Sequence, residues 1–416
     1  MKGKLSDKVR SGLPALYHRN FRLFWFGQCI SLIGTWMQSI GQAWLVLELT
    51  HSALKLSIVT AMQFLPVMIF SLYAGTLIDR FPKRKTLICT QSCLGVLATI
   101  LATITFFHVV QYWHILILAL LLGTVNTIDT PTRQSFVIEL VGKEDLPNAI
   151  ALNSSVFNLG RIVGPAIAGL LIGLIGIAPC FYLNAASFIA VIANLWMIRV
   201  PAKVFRKQER ISLKCIWLDV REGLSYINEK EIIKQPLILL AFISTFVMNF
   251  NILIPVFARQ ELNQNATGYG LLMTSMGIGS FLGSLTLVAR NRRIPILRYL
   301  AGGAFAMSGF LVILAFERNI RLSGITLLII GFSTIIHTNL VNTTVQLHSS
   351  DEMRCRVMSV FSLVFGGVTP IGALYAGQTT ELIGAQGCMV ISGAIGFLAA
   401  GYFVFAIRRK RGAARR

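Results

Sequence analysis

Twelve runs of mostly apolar residues, each roughly 20 to 28 long, fill most of this chain. They fall near 21–47, 53–77, 86–107, 113–138, 148–175, 179–198, 236–258, 267–289, 294–316, 322–347, 357–383 and 387–407. A helix needs about 20 apolar residues to cross the hydrocarbon of a bilayer. Hydrocarbon offers no water to a backbone N–H or C=O, so such a run must satisfy its own hydrogen bonds, as a helix does. The expected fold is therefore all-α and membrane-integral, with twelve transmembrane helices. Composition agrees: 13% of residues are charged, where soluble proteins carry about 25%.

The charges orient the chain. With the N-terminus inside, 33 of the 38 Lys and Arg fall in inner segments. Four (Lys55, Arg259, Arg318, Arg321) fall outside, and Arg161 lies within a span. That bias puts both termini in the cytoplasm. The net charge of +21 is then a topology signal, with anionic lipid headgroups as its partner. No basic, aromatic-rich soluble domain remains for nucleic acid. The first run lacks a small-residue cleavage site and exceeds a signal-peptide core, so it is read as a retained span. The seven cysteines include no C-x-x-C pair, and Cys89 and Cys93, one turn apart, are read as packing. No G-x-x-x-x-G-K-[ST], H-x-x-x-H or G-x-S-x-G is present, so no metal, cofactor or enzymatic activity is expected.

Polar residues inside the spans are the candidate functional groups, because an unpaired amide or charge is costly in hydrocarbon. Gln38 and Gln42, one turn apart in the first span, either line a cavity or bond to a neighbouring helix. Asp129 and Arg133 are spaced i, i+4 with the acid first, the favourable order for a helical ion pair. They form either a structural pair or a protonatable site. Pro131 between them frees a backbone carbonyl. Arg161 lies near the centre of span 5 and calls for a partner or water. Gly160 and Gly164 form a small-xxx-small face. His337 in span 10 is one of few titratable groups within the membrane, either packed or proton-carrying.

The connection 199–235 carries Leu213, Ile216, Trp217, Val220, Leu224 and Ile227 at helical spacing, as a helix lying along the inner membrane surface would. Beyond it the chain repeats itself. Gly283 to Arg293 stands 208 residues after Gly75 to Lys85, with Leu287 in place of Asp79. The expected organisation is two pseudo-symmetric six-helix bundles, 1–198 and 236–416, joined by 199–235.

Two motifs carry a family resemblance. Gly75-Thr-Leu-Ile-Asp79-Arg80-Phe-Pro82-Lys83-Arg84-Lys85 resembles the signature loop between spans 2 and 3 of the major facilitator superfamily. Pro82 stands where that family usually has glycine. Gly160-x-x-x-Gly164-Pro165-x-x-x-Gly169 resembles the span-5 motif of its exporter branches, with Ala168 in place of the first glycine of a final pair. The resemblance runs over nearly the whole chain, to the enterobactin-exporter and macrolide-efflux branch. It implies a proton-coupled secondary exporter of a small amphipathic molecule (a drug, macrolide or siderophore) in the plasma (inner) membrane, here expected as a monomer. A facilitator-type importer of a metabolite and a membrane-embedded enzyme are the alternatives. The resemblance assigns gating to Gly75, Asp79, Arg80, Lys83, Arg84 and Lys85. Asp79 would dock near Arg354 or Arg356. Proton coupling would fall to Asp129, Arg133, Arg161 or His337. The family's cavity is lined by spans 1, 4, 7 and 10, which offer Gln38, Gln42, Asn126, Asn249, Asn339 and Asn342.

Overall fold

Every apolar run becomes helix in the computed structural model, which describes residues 13–78, 81–199, 213–289 and 296–413. Ahead of the linker stand α1 (Arg19–Thr50), α2 (Ala53–Ile78), α3 (Lys83–Phe106), α4 (Tyr112–Val141), α5 (Leu146–Ile175) and α6 (Ala178–Met197). Next comes the linker helix α7 (Leu213–Glu229). After it stand α8 (Glu231–Phe242), α9 (Phe250–Gln260), α10 (Ala266–Ala289), α11 (Ile296–Phe316), α12 (Ile320–His348), α13 (Arg354–Ser362) and α14 (Thr369–Ala413). Among the described residues, ten helical stretches are long and apolar enough to cross a membrane. The 32-residue α1, richer in polar side chains, is not one of them. The last of the ten, Arg356–Arg409, contains a turn at Gly384, whose φ of 78° only glycine adopts freely.

Two departures from unbroken spans matter. The seventh run is two helices, α8 and α9, separated by a π-helical turn at Ile243–Val247 and by the non-helical Met248 and Asn249. The eleventh is likewise interrupted by a π-helical turn, Leu363–Gly367, between α13 and α14. Such single π turns cluster at functional positions in helices. The helix of the seventh run also begins at Glu231, inside the expected linker.

The chain forms two compact units, Met1–Gln42 with Ile69–Arg210 and Ala43–Met68 with Ile211–Arg416. In the first, α1 is stapled on two sides. Gly27, Gly34 and Gly41, seven residues apart, bring it against Asn194, Asn184 and Phe181 of α6, and a seven-residue interval keeps all three on one face. Leu32, Ile33 and Trp36 of α1 meet α5 at Gly160 and Gly164. An apolar cluster of Phe21, Phe24, Phe136, Leu140 and Leu195 closes one end.

In the second unit, the end of α1 from Ala43 and the start of α2 to Met68 pack with later helices. Trp44 stacks on Tyr269, with ring centroids 6.1 Å apart, and Ser57 sits against Gly377. Ala43–Met68 groups with the later unit because its contacts are with residues far ahead in sequence.

Local structure repeats at the 208-residue interval seen between Gly75 and Gly283. Gly176 and Gly384 both hold positive φ, 90° and 78°. The thiols of Cys180 and Cys388 donate to the carbonyls of Ala168 and Ala376, at 3.9 and 3.7 Å. Gly164 and Gly372 are both points of close helix contact.

Candidate transport site

Asp129 is 3% exposed and fully occupied. Its Oδ1 accepts from Thr90 Oγ1 at 2.6 Å and Gln91 Nε2 at 2.8 Å, both on α3. Its Oδ2 accepts from Arg133 Nε at 3.1 Å and Nη2 at 2.6 Å. Four donors on one carboxylate are what an ionised acid requires when it is taken out of water. The i, i+4 spacing with Arg133 was legible in sequence. The clasp to α3 was not, since Thr90 and Gln91 look like ordinary polar residues of a span. Gln91 Oε1 is left buried and without an acceptor's partner among the described residues.

His337 stands 208 residues after Asp129, so the two titratable groups occupy corresponding places on α4 and α12. Each bonds the preceding span. His337 Nδ1 lies 3.0 Å from the Leu300 carbonyl of α11, which assigns the proton to Nδ1. Its Nε2 is buried with no partner among the described residues.

Arg161 is not in this network. Its guanidinium carbon lies 5.9 Å from the Trp36 ring centroid, a cation–π distance. Trp36 in turn meets Phe157 edge-on at 5.8 Å. Gly160, Gly164, Pro165 and Gly169 are all buried in α5. A Cβ on Gly164 would lie 2.5 Å from that of Trp36, so the motif here serves backbone contact with α1.

Of the hinge-loop residues, Asp79 and Arg80 lie outside the described residues, and Gly75 is described only as part of α2. Lys83 pairs with Glu139 at 3.2 Å. Arg84 donates to the carbonyls of Leu195 and Trp196, at 2.7 and 2.9 Å. Those are last-turn carbonyls of α6, where a cation also meets the negative end of the helix dipole. Lys85 is exposed. Arg354 and Arg356, the residues expected to receive Asp79, pair with Asp351 at 2.6 Å and with Glu222.

The cavity candidates divide. Gln38 is buried and accepts from Asn184 Nδ2 at 2.6 Å, an interhelical bond. Asn249 is buried at the break between α8 and α9 and donates to Thr245 O at 2.8 Å. Gln42 and Asn126 are half-buried, and Asn339 is exposed. Asn342 is half-buried and accepts from Gln346. Exposed polar residues extend these faces at helical spacing: Thr35 and Ser39 with Gln42 on α1, Thr130 and Gln134 with Asn126 on α4, and Thr343 and Gln346 with Asn339 on α12. An exposed polar group within an apolar span is costly against lipid.

Sequence reasoning passed over two charges that clamp the α1–α2 turn. Arg259 donates to Leu47 O at 2.6 Å, near the end of α1, and lies 3.0 Å from His51 Nδ1. Glu381 accepts from Ser52 Oγ at 3.0 Å and Leu54 N at 3.3 Å, at the start of α2. Each charge has the sign that complements the helix end it touches. The available signal was two charges at the ends of apolar runs in a chain of which 13% is charged.

Long apolar helices carrying exposed polar residues at helical spacing define a multi-pass membrane protein. The chain belongs to the transmembrane secretion effector family, a branch of the major facilitator superfamily, whose family model matches residues 10–415. It is 24% identical to the staphyloferrin A transporter of Staphylococcus aureus, over 87% of this chain and 90% of the relative. It is 22% identical to macrolide efflux protein A of Streptococcus pyogenes, over 90% and 93%. With multidrug efflux pump Tap of Mycolicibacterium fortuitum it shares 22% over 82% and 84%. Among solved structures, a bacterial homologue of the lysosomal transporter Spinster superposes with a TM-score of 0.75 at 12% identity, covering 94% of this chain and 96% of that one. The nucleoside transporter NupG gives 0.73 at 12%, covering 93% and 98%. At those identities the structures establish the fold. The family and its relatives are transporters, not enzymes.

Proposed function

We propose that this protein is a proton-driven exporter of a small amphipathic molecule, working by alternating access. It lies in the plasma (inner) membrane as a monomer, with both termini in the cytoplasm. Twelve crossings stand as two six-helix bundles, 1–198 and 236–416, joined by 199–235, and lipid headgroups meet the basic inner surface. The observation that supports transport is the set of exposed polar residues at helical spacing on α1, α4 and α12, all within long, mostly apolar helices. Outward direction is supported by relatives named for macrolide and multidrug efflux.

Asp129 is the proposed proton site, with Arg133 as its charge partner and His337 as the corresponding group of the later helices. Protonation would remove the charge that Thr90, Gln91 and Arg133 hold. The clasp between α3 and α4 would then loosen, and the proton would be linked to helix position. The hinge loop from Gly75 to Lys85 would gate the cytoplasmic side.

The test is Asp129→Asn in inverted vesicles, with insertion and melting checked first. The expected variant exchanges substrate down its gradient yet loses pH-driven uphill export. Unaltered uphill export would remove Asp129 from coupling and turn attention to His337. Loss of folding in Asp129→Asn would instead assign Asp129 to structure, as its saturated hydrogen bonding allows.

A further inference from the structure

We propose that Arg161 is the receptor for an acidic group on the exported molecule, so that the substrate is an anionic amphipath. This rests on the transport reading and narrows it to a chemical class.

The argument is one of charge and position. Arg161 stands 15 residues from the start of α5 and 14 from its end, about 22 Å from either at 1.5 Å per residue. The whole chain has 17 Asp and Glu, and all but one lie in the connections or toward the ends of spans. Asp129 is the acid placed well inside a span, and both of its oxygens are taken by Arg133, Thr90 and Gln91. Among the described residues no carboxylate pairs with Arg161.

A cation at that depth is costly without a partner or water, and Arg161 is half-buried rather than sealed. Its contact with Trp36 is through the π face, which orders the guanidinium without using its five N–H donors. No hydrogen-bond acceptor is found for them among the described residues. A carboxylate matches that fork geometrically, with two parallel bonds. Beside it, Trp36 and Phe157 pack edge to face, and Phe157 is 48% exposed. They offer apolar surface to the rest of the molecule. Along the same helix, Ser154 and Asn158 continue the polar face toward the start of α5. The combination suits an acid with an aromatic or otherwise apolar body.

The probes are 2-naphthoate, cholate and carboxyfluorescein, each beside its methyl ester, at pH 7.4. Binding is read as a ligand-dependent melting shift of the purified protein, and carriage as accumulation in inverted vesicles. At least one acid, and not its ester, should shift wild-type melting saturably. Its half-saturating concentration should rise about ten- to a hundred-fold in Arg161→Gln, the loss of a hydrogen bond to a charged group, and be partly restored in Arg161→Lys. Equal shifts by acid and ester, an unchanged concentration in Arg161→Gln, or no shift by any acid would overturn the assignment. Vesicle carriage separates this failure from that of the broader reading. If wild type carries esters as readily as acids, transport stands and the anion receptor falls. If it carries no member of any pair, the transport reading falls with it.

Discussion

Replacing Gly164 by alanine places a carbon where α1 already stands. The new Cβ would lie 2.5 Å from Trp36 Cβ, 3.0 Å from the Ile33 carbonyl oxygen and 3.3 Å from the Met37 nitrogen. Carbon pairs attract at about 3.5–4.0 Å, so α5 must withdraw by about 1 Å. Overpacking costs about 1–3 kcal/mol. The obstacles here are backbone atoms and a Cβ, which no side-chain rotation can move, so the cost belongs at about 2–3 kcal/mol. Alanine's better helix propensity offsets about 1 kcal/mol, leaving a net loss of about 1–2 kcal/mol. Gly302 and Gly309 of α11 have nothing within 4 Å of an added Cβ. At these positions alanine should stabilise by up to about 1 kcal/mol. The assay is the melting midpoint of the three variants in one detergent. Gly164→Ala should melt about 2–4 °C below wild type, while Gly302→Ala and Gly309→Ala match or exceed it. Gly164→Ala melting level with Gly302→Ala would refute the close-contact reasoning.

Glu381→Ala removes the acceptor of Ser52 Oγ and Leu54 N. Losing a helix N-cap costs about 1 kcal/mol, so amide exchange at Leu54 and Lys55 should quicken about five-fold; unchanged exchange there would dismiss the clamp. Tyr226 on α7 has its pKa lowered from near 10 to about 8, first by the hydrogen bond from Lys230 and next by those with Ser350. A depressed phenol stabilises the fold fully above its ordinary value and ceases to do so as pH falls through about 8. A phenolate absorbance component near pH 8 should therefore be present in wild type and absent in Tyr226→Phe, and a titration with nothing below pH 9 would contradict the contact. A cysteine at Lys207 should stay silent to impermeant reagent in intact cells, and strong labelling would reverse the orientation.

Much of the architecture was legible in the chain alone, for a physical reason. Hydrocarbon leaves a long apolar run no alternative to a helix. The 208-residue repeat was visible at Gly75 and Gly283, and it recurs at Gly176 and Gly384, where a positive φ demands glycine. The i, i+4 pair of Asp129 and Arg133 needed only helical geometry.

What sequence could not show depends on which helices meet. Gln38 and Gln42 look alike as amides one turn apart, yet Gln38 is buried against Asn184, 146 residues on. Arg161 called for a partner that sequence could not name; it rests on Trp36, while Thr90 and Gln91 of α3 complete the bonding of Asp129. Arg259 and Glu381 find the α1–α2 turn across more than 200 and 300 residues of chain. The breaks at Ile243–Val247 and Leu363–Gly367 carry no proline at the turn itself to announce them. Local rules reach only a few residues along a helix, whereas a buried polar group takes whatever partner tertiary packing brings to it.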